Sequence, residues 1–331
     1  MIKNALDSAM ERMVIPSFSS VGSCARSRLF RWEPLQGYSL NNKVVVLTGG
    51  TSGIGLAAAR IYASLGSTLV LVGRNPDKLT HTIGTIQQSV SNCTIHHVTG
   101  DLGSLEDVKA VAAELADRFP VIHVLAHNAG ALYNERQRSA TGTDLTVELM
   151  VSSPFLLTGL LLPQLRGQDT GLKCEPSRVL TMSSGGMYTA ALSADKLQMP
   201  DEDYNGARQY ALAKRAQVVL NELWASRIDP GSTVFHALHP GWVDTPGIND
   251  ALPGFSRILS PLQLLRKPED GADTLVWLSV NSLPGECTGL FWHDRATRSI
   301  DMTAKTKGAD TAAKRDALWQ WCEQHTGWTL T

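Results

Sequence analysis

"KVVVLTGGTSGIGLAAARIYASLG", residues 43–66, runs from an apolar stretch through a cluster of glycines into a helical stretch without a break. "KVVVLTGG" has no polar alternation, as expected of a strand buried on both faces. "IGLAAARIYASLG" reads as a helix closed by Gly66. In the turn between them, Gly49 permits the reversal, Gly53 lets the backbone approach a ligand, and Gly55 lets helix pack closely on strand. Thr51, Ser52 and Ile54 complete the turn. The helix then presents free N–H groups and the positive end of its dipole, which suits a diphosphate. A glycine-rich turn alone is equally a tight loop. Its place after the first strand of an alternating pattern decides for the ligand.

That alternation continues downstream. "TLVLVG" is a second buried strand, and a helix follows with Asn75 as N-cap and Pro76 at its first position. "TIHHVTGDL" is the third strand. "SLEDVKAVAAELADRF" is a helix whose Ser104 and Asp107 stand at capping-box spacing. "VIHVLAHNAG" is the fourth strand, and "DLTVELMVSSPFLLTGLLLPQL" one long apolar helix. Next come strand "RVLTMSS", helix "YALAKRAQVVL", strand "TVFHALHPG", helix "PEDGADTLVWLSV" and a last strand near "GLFW". Strands of continuous Val, Leu and Ile call for a parallel sheet with helices on both faces. The expected fold is α/β: one doubly wound domain over 41–300, with an arm over 1–40 and a tail over 301–331.

Bulk composition narrows the function. Of 331 residues, 43% are hydrophobic and 18% charged, which fits a globular protein with a large core. A net charge of -1 gives no electrostatic reason to expect nucleic acid or an anionic membrane as a partner. Cys24, Cys93, Cys174, Cys287 and Cys322 are scattered and odd in number, which argues against a disulfide framework and for a reducing compartment. No apolar run is long enough to span a bilayer, and "MIKNALDSAMERMVI" lacks the apolar centre of a signal peptide, so the expectation is a cytoplasmic protein. The arm segment "SRLFRWEPLQGY" is basic and aromatic. Contact with a membrane surface or a partner is conceivable; packing along its own domain is the expectation.

The second strand ends in "VGRN", with Gly73 where a carboxylate would hold a ribose 2′-hydroxyl and Arg74 beside it. A guanidinium without a neighbouring acid pairs with a 2′-phosphate, and Ser52 could add a hydrogen bond, so NADP(H) is favoured over NAD(H). Against this, Arg74 could simply point into water.

With these residues placed, the chain resembles the short-chain dehydrogenase/reductase family from about Lys43 to about Asp294. "TGGTSGIG" carries the likeness, as do "GDL" with Asp101 and Leu102, "HNAG" with Asn128, Ala129 and Gly130, and "MSS" with Ser184. "YALAK" with Tyr210 and Lys214, and "HPGWVDT" with Pro240, Gly241, Val243 and Thr245, complete it. Within the family, "SSGGM", "YALAKRAQVVLNELWA" and "HPGWVDTPG" are most similar to the group around dehydrogenase/reductase family member 12. The resemblance implies a Rossmann-type three-layer sandwich. It also implies that Asp101 contacts adenine, that "HNAG" lines the cofactor and steadies the central strand, and that Thr245 holds the nicotinamide amide. Ser184, Tyr210 and Lys214 would be catalytic, with Tyr210 the proton donor or acceptor, Ser184 fixing the substrate oxygen, and Lys214 holding the ribose and favouring the phenolate.

Two departures stand out. The family's fourth residue, an asparagine supporting a proton relay, aligns with Met150; a slower relay, loss of catalysis, or a path through Ser152 or Ser153 are the alternatives. A catalytically weak NADP(H)-binding sensor or scaffold is therefore the rival to an oxidoreductase. The interval from Ser184 to Tyr210 is also long and rich in Asp and Glu, either a loop over the substrate entrance or a surface excursion. It contains Tyr188 and Tyr204, neither of which has a lysine four residues on.

After "HPG", a long connection carries Trp242, Leu252, Phe255, Ile258, Leu259, Leu262, Leu264 and Leu265. These would cover a lipophilic carbonyl or alcohol substrate, or pack on the body of the protein, with equal weight. His96 and His97 point to opposite faces of a strand, and His236 and His239 lack ligand partners, so strand-end packing is expected of the latter pair. The family's habit implies a homodimer through the helices starting near Asp144 and Gly206, which the long interval could obstruct. "AAKRDALWQWCEQHTGWTL", with Trp319, Trp321 and Trp328, reads as a helix docked on the domain or on a second subunit.

Overall fold

The buried strands of the sequence are β1 (Val44–Thr48), β2 (Thr68–Gly73), β3 (Thr94–Thr99), β4 (Val124–His127), β5 (Ser177–Met182), β6 (Thr233–His239) and β7 (Leu290–His293). In the structure, a computed structural model describing residues 2–167, 175–246, 254, 257, 259 and 261–330, they form one sheet with a short eighth strand, β8 (Ala296–Thr297). The order is β3-β2-β1-β4-β5-β6-β7-β8. β1 to β7 are mutually parallel, and β8 is antiparallel to β7. The chain reverses direction across the sheet at β1, and a crevice opens beyond the carboxyl ends of β1 and β4, the usual ligand position of such folds.

Alternate residues of β1 feed two apolar layers. Val46 faces one, with Val108, Phe155 and Val219; Val45 and Leu47 face the other, with Ala58, Tyr62 and Leu275. This is why the strands carry no polar alternation. The helices α1 (Ile2–Glu11), α2 (Val14–Phe18) and α3 (Ser20–Phe30) form the arm; α4 (Gly53–Ser64), α5 (Pro76–Ser89) and α6 (Leu105–Arg118) flank the first half of the sheet. Asn75 and Ser104 cap α5 and α6 as expected, each accepting the N–H three residues on. The second half of the capping box is altered: the Asp107 carboxylate accepts from the Asp101 N–H and the Ser104 hydroxyl instead of the Ser104 N–H.

The long apolar helix is a correction. It is broken into α7 (Leu145–Val147), a π-helical turn (Glu148–Ser152), α8 (Ser153–Leu160) and α9 (Leu162–Arg166). Apolar periodicity does not register one extra residue in a turn. Then follow α10 (Gly206–Ala225), α11 (Pro268–Val280), α12 (Ser282–Gly285) and the tail helix α13 (Ala312–Thr326).

The arm packs along its own domain. Arg26, fully buried, bonds Asp7 (2.7 Å), Glu11 (2.6 Å) and Asp294 (2.6 Å), and Asp294 is shared with Arg266 (2.5 Å). Asp294 and Arg295 both have positive φ, 54° and 55°, and form the two-residue turn between β7 and β8. Asp294 suits the first position of such a turn, but Arg295 stands where glycine is favoured. The buried ion pairs of Asp294, and those of Arg295 to Asp273 (2.6 Å), hold it.

Candidate active site

Helix α4 begins at Gly53, directly off the carboxyl end of β1, so its first N–H groups face the crevice. Gly49 has φ +69°, and a Cβ there would sit 2.9 Å from Ala129 Cα. A Cβ at Gly55 would collide with the Gly49 carbonyl and lie 2.6 Å from the Asn128 amide nitrogen. Only glycine allows the turn to lie this close to β4. Asn128 locks the junction: its amide donates to the Thr48 and Gly49 carbonyls (3.1 Å each), while the Asn128 and Ala129 N–H groups reach the Thr48 hydroxyl (3.0 Å each).

Above this junction lies a cavity of about 600 Å³. Thr51, Ser52, Ile54, Arg74, Asp101, Leu102, Gly130, Ser184, Tyr210, Lys214, Pro240, Gly241, Val243 and Thr245 line it with Gly49, Gly55, Asn128 and Ala129. Gly53 does not line it; with φ +49° it lies behind the wall, where a Cβ would come within 3.0 Å of the Thr245 methyl. The glycine cradle and exposed helix start fit a dinucleotide.

One end of the cavity is basic. Arg74 hydrogen-bonds the Tyr133 side chain across the crevice, so it does not merely point into water. Lys78 lies beside it, a residue the sequence reading missed. A lysine in the first turn of a helix works against the dipole, and that misplaced charge was the available signal. Tyr133, Leu145 and Leu149 also line the cavity and were not anticipated.

At the other end, α10 sets Tyr210 and Lys214 on one face, the ammonium 5.3 Å from the phenol ring centroid. Lys214 Nζ donates to the Met182 carbonyl at the end of β5 (2.7 Å), and Ser183 Oγ donates to the Lys214 carbonyl (3.1 Å). Ser184 accepts the Gly186 N–H (3.2 Å) and hydrogen-bonds Tyr210. The expectation that Lys214, together with the positive oxidised nicotinamide, favours the phenolate concerns the cofactor-bound protein; the protein alone sets a different starting point. Burial pushes Tyr210 up to about 12, offset in part by Ser184, and burial brings Lys214 down to about 7. In the protein alone, desolvation of both groups outweighs their mutual influence.

His239, dismissed as strand-end packing, ties the serine to the opposite wall. Its Nδ1 accepts the Gly185 N–H (3.2 Å) and the Gly241 N–H (3.3 Å), and its ring stands edge-on to Phe18 of the arm (centroids 4.4 Å). His236 is buried between the Pro284 carbonyl (2.8 Å) and the Trp292 indole (3.0 Å), as strand-end packing requires.

Met150 is fully buried in the π turn; its sulfur lies 3.0 Å, and Lys214 Nζ 3.5 Å, from where a Cβ on Gly130 would stand. Ser153 is spent on the Leu102 carbonyl, while Ser152 Oγ is buried without a hydrogen-bond partner. The long interval does not line the cavity. Its Leu192, Leu197 and Met199 are buried, Asp201 pairs with Arg136 and Arg138, and Tyr204 donates to the Tyr133 carbonyl (3.0 Å). Asp201 therefore holds Arg136 and Arg138 of the 133–144 loop. In the connection after β6, Trp242 packs on Phe18, Leu259 is buried and Leu262 exposed; no described residue beyond Thr245 in that connection lines the cavity. Leu252, Phe255 and Ile258 lie outside the described residues, as does Cys174.

A family model described as short chain dehydrogenase matches residues 43–191. Human dehydrogenase/reductase SDR family member 12 is 33% identical, over 83% of this chain and 84% of its own length. Zebrafish (Danio rerio) polyprenol dehydrogenase is 31% identical, over 78% of this chain and 81% of its own. Among solved structures, L-sorbose reductase from Gluconobacter frateurii, complexed with NADPH and L-sorbose, matches with TM-score 0.62 at 21% identity, covering 77% of this chain and 95% of that one.

Proposed function

This chain belongs to the short-chain dehydrogenase/reductase family and has its oxidoreductase fold; on that premise we propose that it transfers hydride between NADP(H) and the carbonyl or alcohol group of a lipophilic small molecule. The observation carrying this reading is that one cavity joins the glycine cradle, the Arg74–Lys78 pair and the Ser184–Tyr210–Lys214 cluster. Arg74 and Lys78 would hold the 2′-phosphate, Lys214 the ribose, and Thr245 the amide. Nicotinamide, when bound, supplies the hydride and, oxidised, a positive charge.

The protein supplies the proton. Tyr210 gives it to the carbonyl oxygen on reduction or takes it from the alcohol on oxidation, and Ser184, already bonded to Tyr210, holds the same oxygen. Lys214 at about 7 exchanges its proton readily at neutral pH, which suits re-protonation of the phenol. The lipophilic preference draws support from the buried character of the site and from polyprenol dehydrogenase among the relatives.

Fluorescence titration with NADPH and with NADH tests the cofactor. NADPH should bind at least tenfold tighter, and Arg74→Ala with Lys78→Ala should remove most of that preference. Equal affinities would refute the assignment. Against a panel of lipophilic ketones and aldehydes, Tyr210→Phe should lose about 10²–10⁴-fold in kcat with NADPH affinity retained. Turnover that survives Tyr210→Phe would remove the acid/base.

A further inference from the structure

We propose that the arm docks this protein on an anionic membrane surface, with residues 12–15 and Val21 as the inserting tip. The proposal is independent of the catalytic reading. Helix α1 turns its acids inward: Asp7 and Glu11 are spent on Arg26 and Arg298. The neighbouring face carries Lys3, Leu6 and Met10; beyond the end of α1, Met13 is extended and leads into Val14 and Ile15. Leu6 and Met13 are each 53% exposed, Val14 54% and Ile15 55%.

Met13, Val14 and Ile15 are consecutive exposed side chains next to Arg12. A Cβ on Gly22 would collide with the carbonyls of Pro16 and Ser17, so the first turn of α3, with Val21 54% exposed, packs against the second half of α2. Ser20 then donates through its N–H to the Leu264 carbonyl (2.9 Å) and through Oγ to the Gln263 carbonyl (2.7 Å), which brings in Leu262, 63% exposed. Scattered exposed aliphatics need no account; a contiguous set at one protrusion does.

Charge selects the occupant. Between residues 3 and 31 the exposed charged side chains are Lys3, Arg12, Arg28 and Arg31, all cationic, because both acids are buried in ion pairs. Exposed aliphatic side chains with Arg12 beside them, on a segment whose exposed charges are all cationic, match the boundary between anionic headgroups and acyl chains. A second copy meeting this patch about a two-fold axis would oppose like cations. The arm is rigidly joined to the rest of the molecule: Phe18 seats on His239, and its carbonyl accepts the Trp242 N–H (2.7 Å) next to cavity residue Gly241.

The test is co-sedimentation of the full chain with phosphatidylcholine vesicles and with vesicles in which part of that lipid is phosphatidylserine. The protein should partition onto the phosphatidylserine vesicles and be released by salt, each basic side chain contributing about fivefold. Arg12→Glu, and separately Met13→Ser with Val14→Ser and Ile15→Ser, should each weaken partition about tenfold or more, with unchanged melting temperature and NADPH titration. No excess binding of the wild type to phosphatidylserine vesicles would overturn the proposal. So would a triple variant that binds like wild type, or a lipid-free dimer that the triple variant disperses, which would assign the patch to a second copy.

Discussion

Lys214 places a primary amine in a pocket where its nitrogen meets the Met182 carbonyl and the Tyr210 ring, and burial brings its pKa to about 7. In the unfolded chain the same lysine keeps its proton to about 10.4. Between about pH 7 and 10 this lysine therefore makes the unfolded state bind more protons than the folded one, a contribution that raises stability with pH. From about pH 8.5 the buried Cys322 thiol, and above about pH 10 the buried tyrosines Tyr62, Tyr188 and Tyr210, oppose it, since their pKa values are raised in the fold. The urea midpoint should climb from pH 7 to about 8.5, and Lys214→Met should flatten that climb, raise the midpoint at neutral pH and abolish turnover. A midpoint that is flat in wild type across this range would mean that the amine stays charged. At this scale the sequence was eloquent about identity and silent about state. Tyr210 and Ser184 stand out through the ordered motifs of the family resemblance and not through spacing alone, and how far burial moves a pKa depends on residues distant in the chain.

The elements show the same division more sharply. Strands and caps follow from local chemistry: Asn75 and Ser104 cap their helices, and continuous Val and Leu mark two-sided burial. The arm does not, because its anchor joins Arg26 to Asp294 across 268 positions. Read locally, Arg26 is one more basic residue in a basic segment. In the fold it is fully buried with three carboxylates, so Arg26→Met would leave Asp7, Glu11 and Asp294 with less than their full complement of cations. We expect a loss of about 3–5 kcal/mol in unfolding free energy. A loss below about 1 kcal/mol would show that Arg266 and Arg298 suffice to hold the cluster. The glycine turn gives a second element-scale prediction: Gly55→Ala forces α4 off β1, because the added methyl meets the Gly49 carbonyl and the Asn128 amide. NADPH binding should be lost before the fold is, and tight binding by the alanine variant would break the link between that packing and the cradle.

At the scale of the whole molecule, the question is which surface remains for a partner. Family resemblance implies pairing through the helices that start near Asp144 and Gly206. In this chain that face is covered by its own tail and not, as expected, by the long interval. On α13, Arg315 pairs with Glu222 (2.7 Å), Trp319 packs against Trp224 (centroids 4.9 Å), and His325 meets Glu148 (2.6 Å). Trp328 then closes over Gly159 and stands edge-on to Phe155 (5.6 Å). A helix that buries Trp319 and Cys322 against α10 leaves no room there for the same helix of a second copy. The intact chain should therefore run as a monomer in light scattering. Trp319→Ala should cost about 3–5 kcal/mol of stability, the price of emptying an aromatic cluster. Removing residues 311–331 should expose Phe155 and Trp224 and drive the truncated protein to dimerise or precipitate. Cross-linking of the intact chain through residues of α10 to a second copy would defeat this account, because it requires the tail to leave its seat.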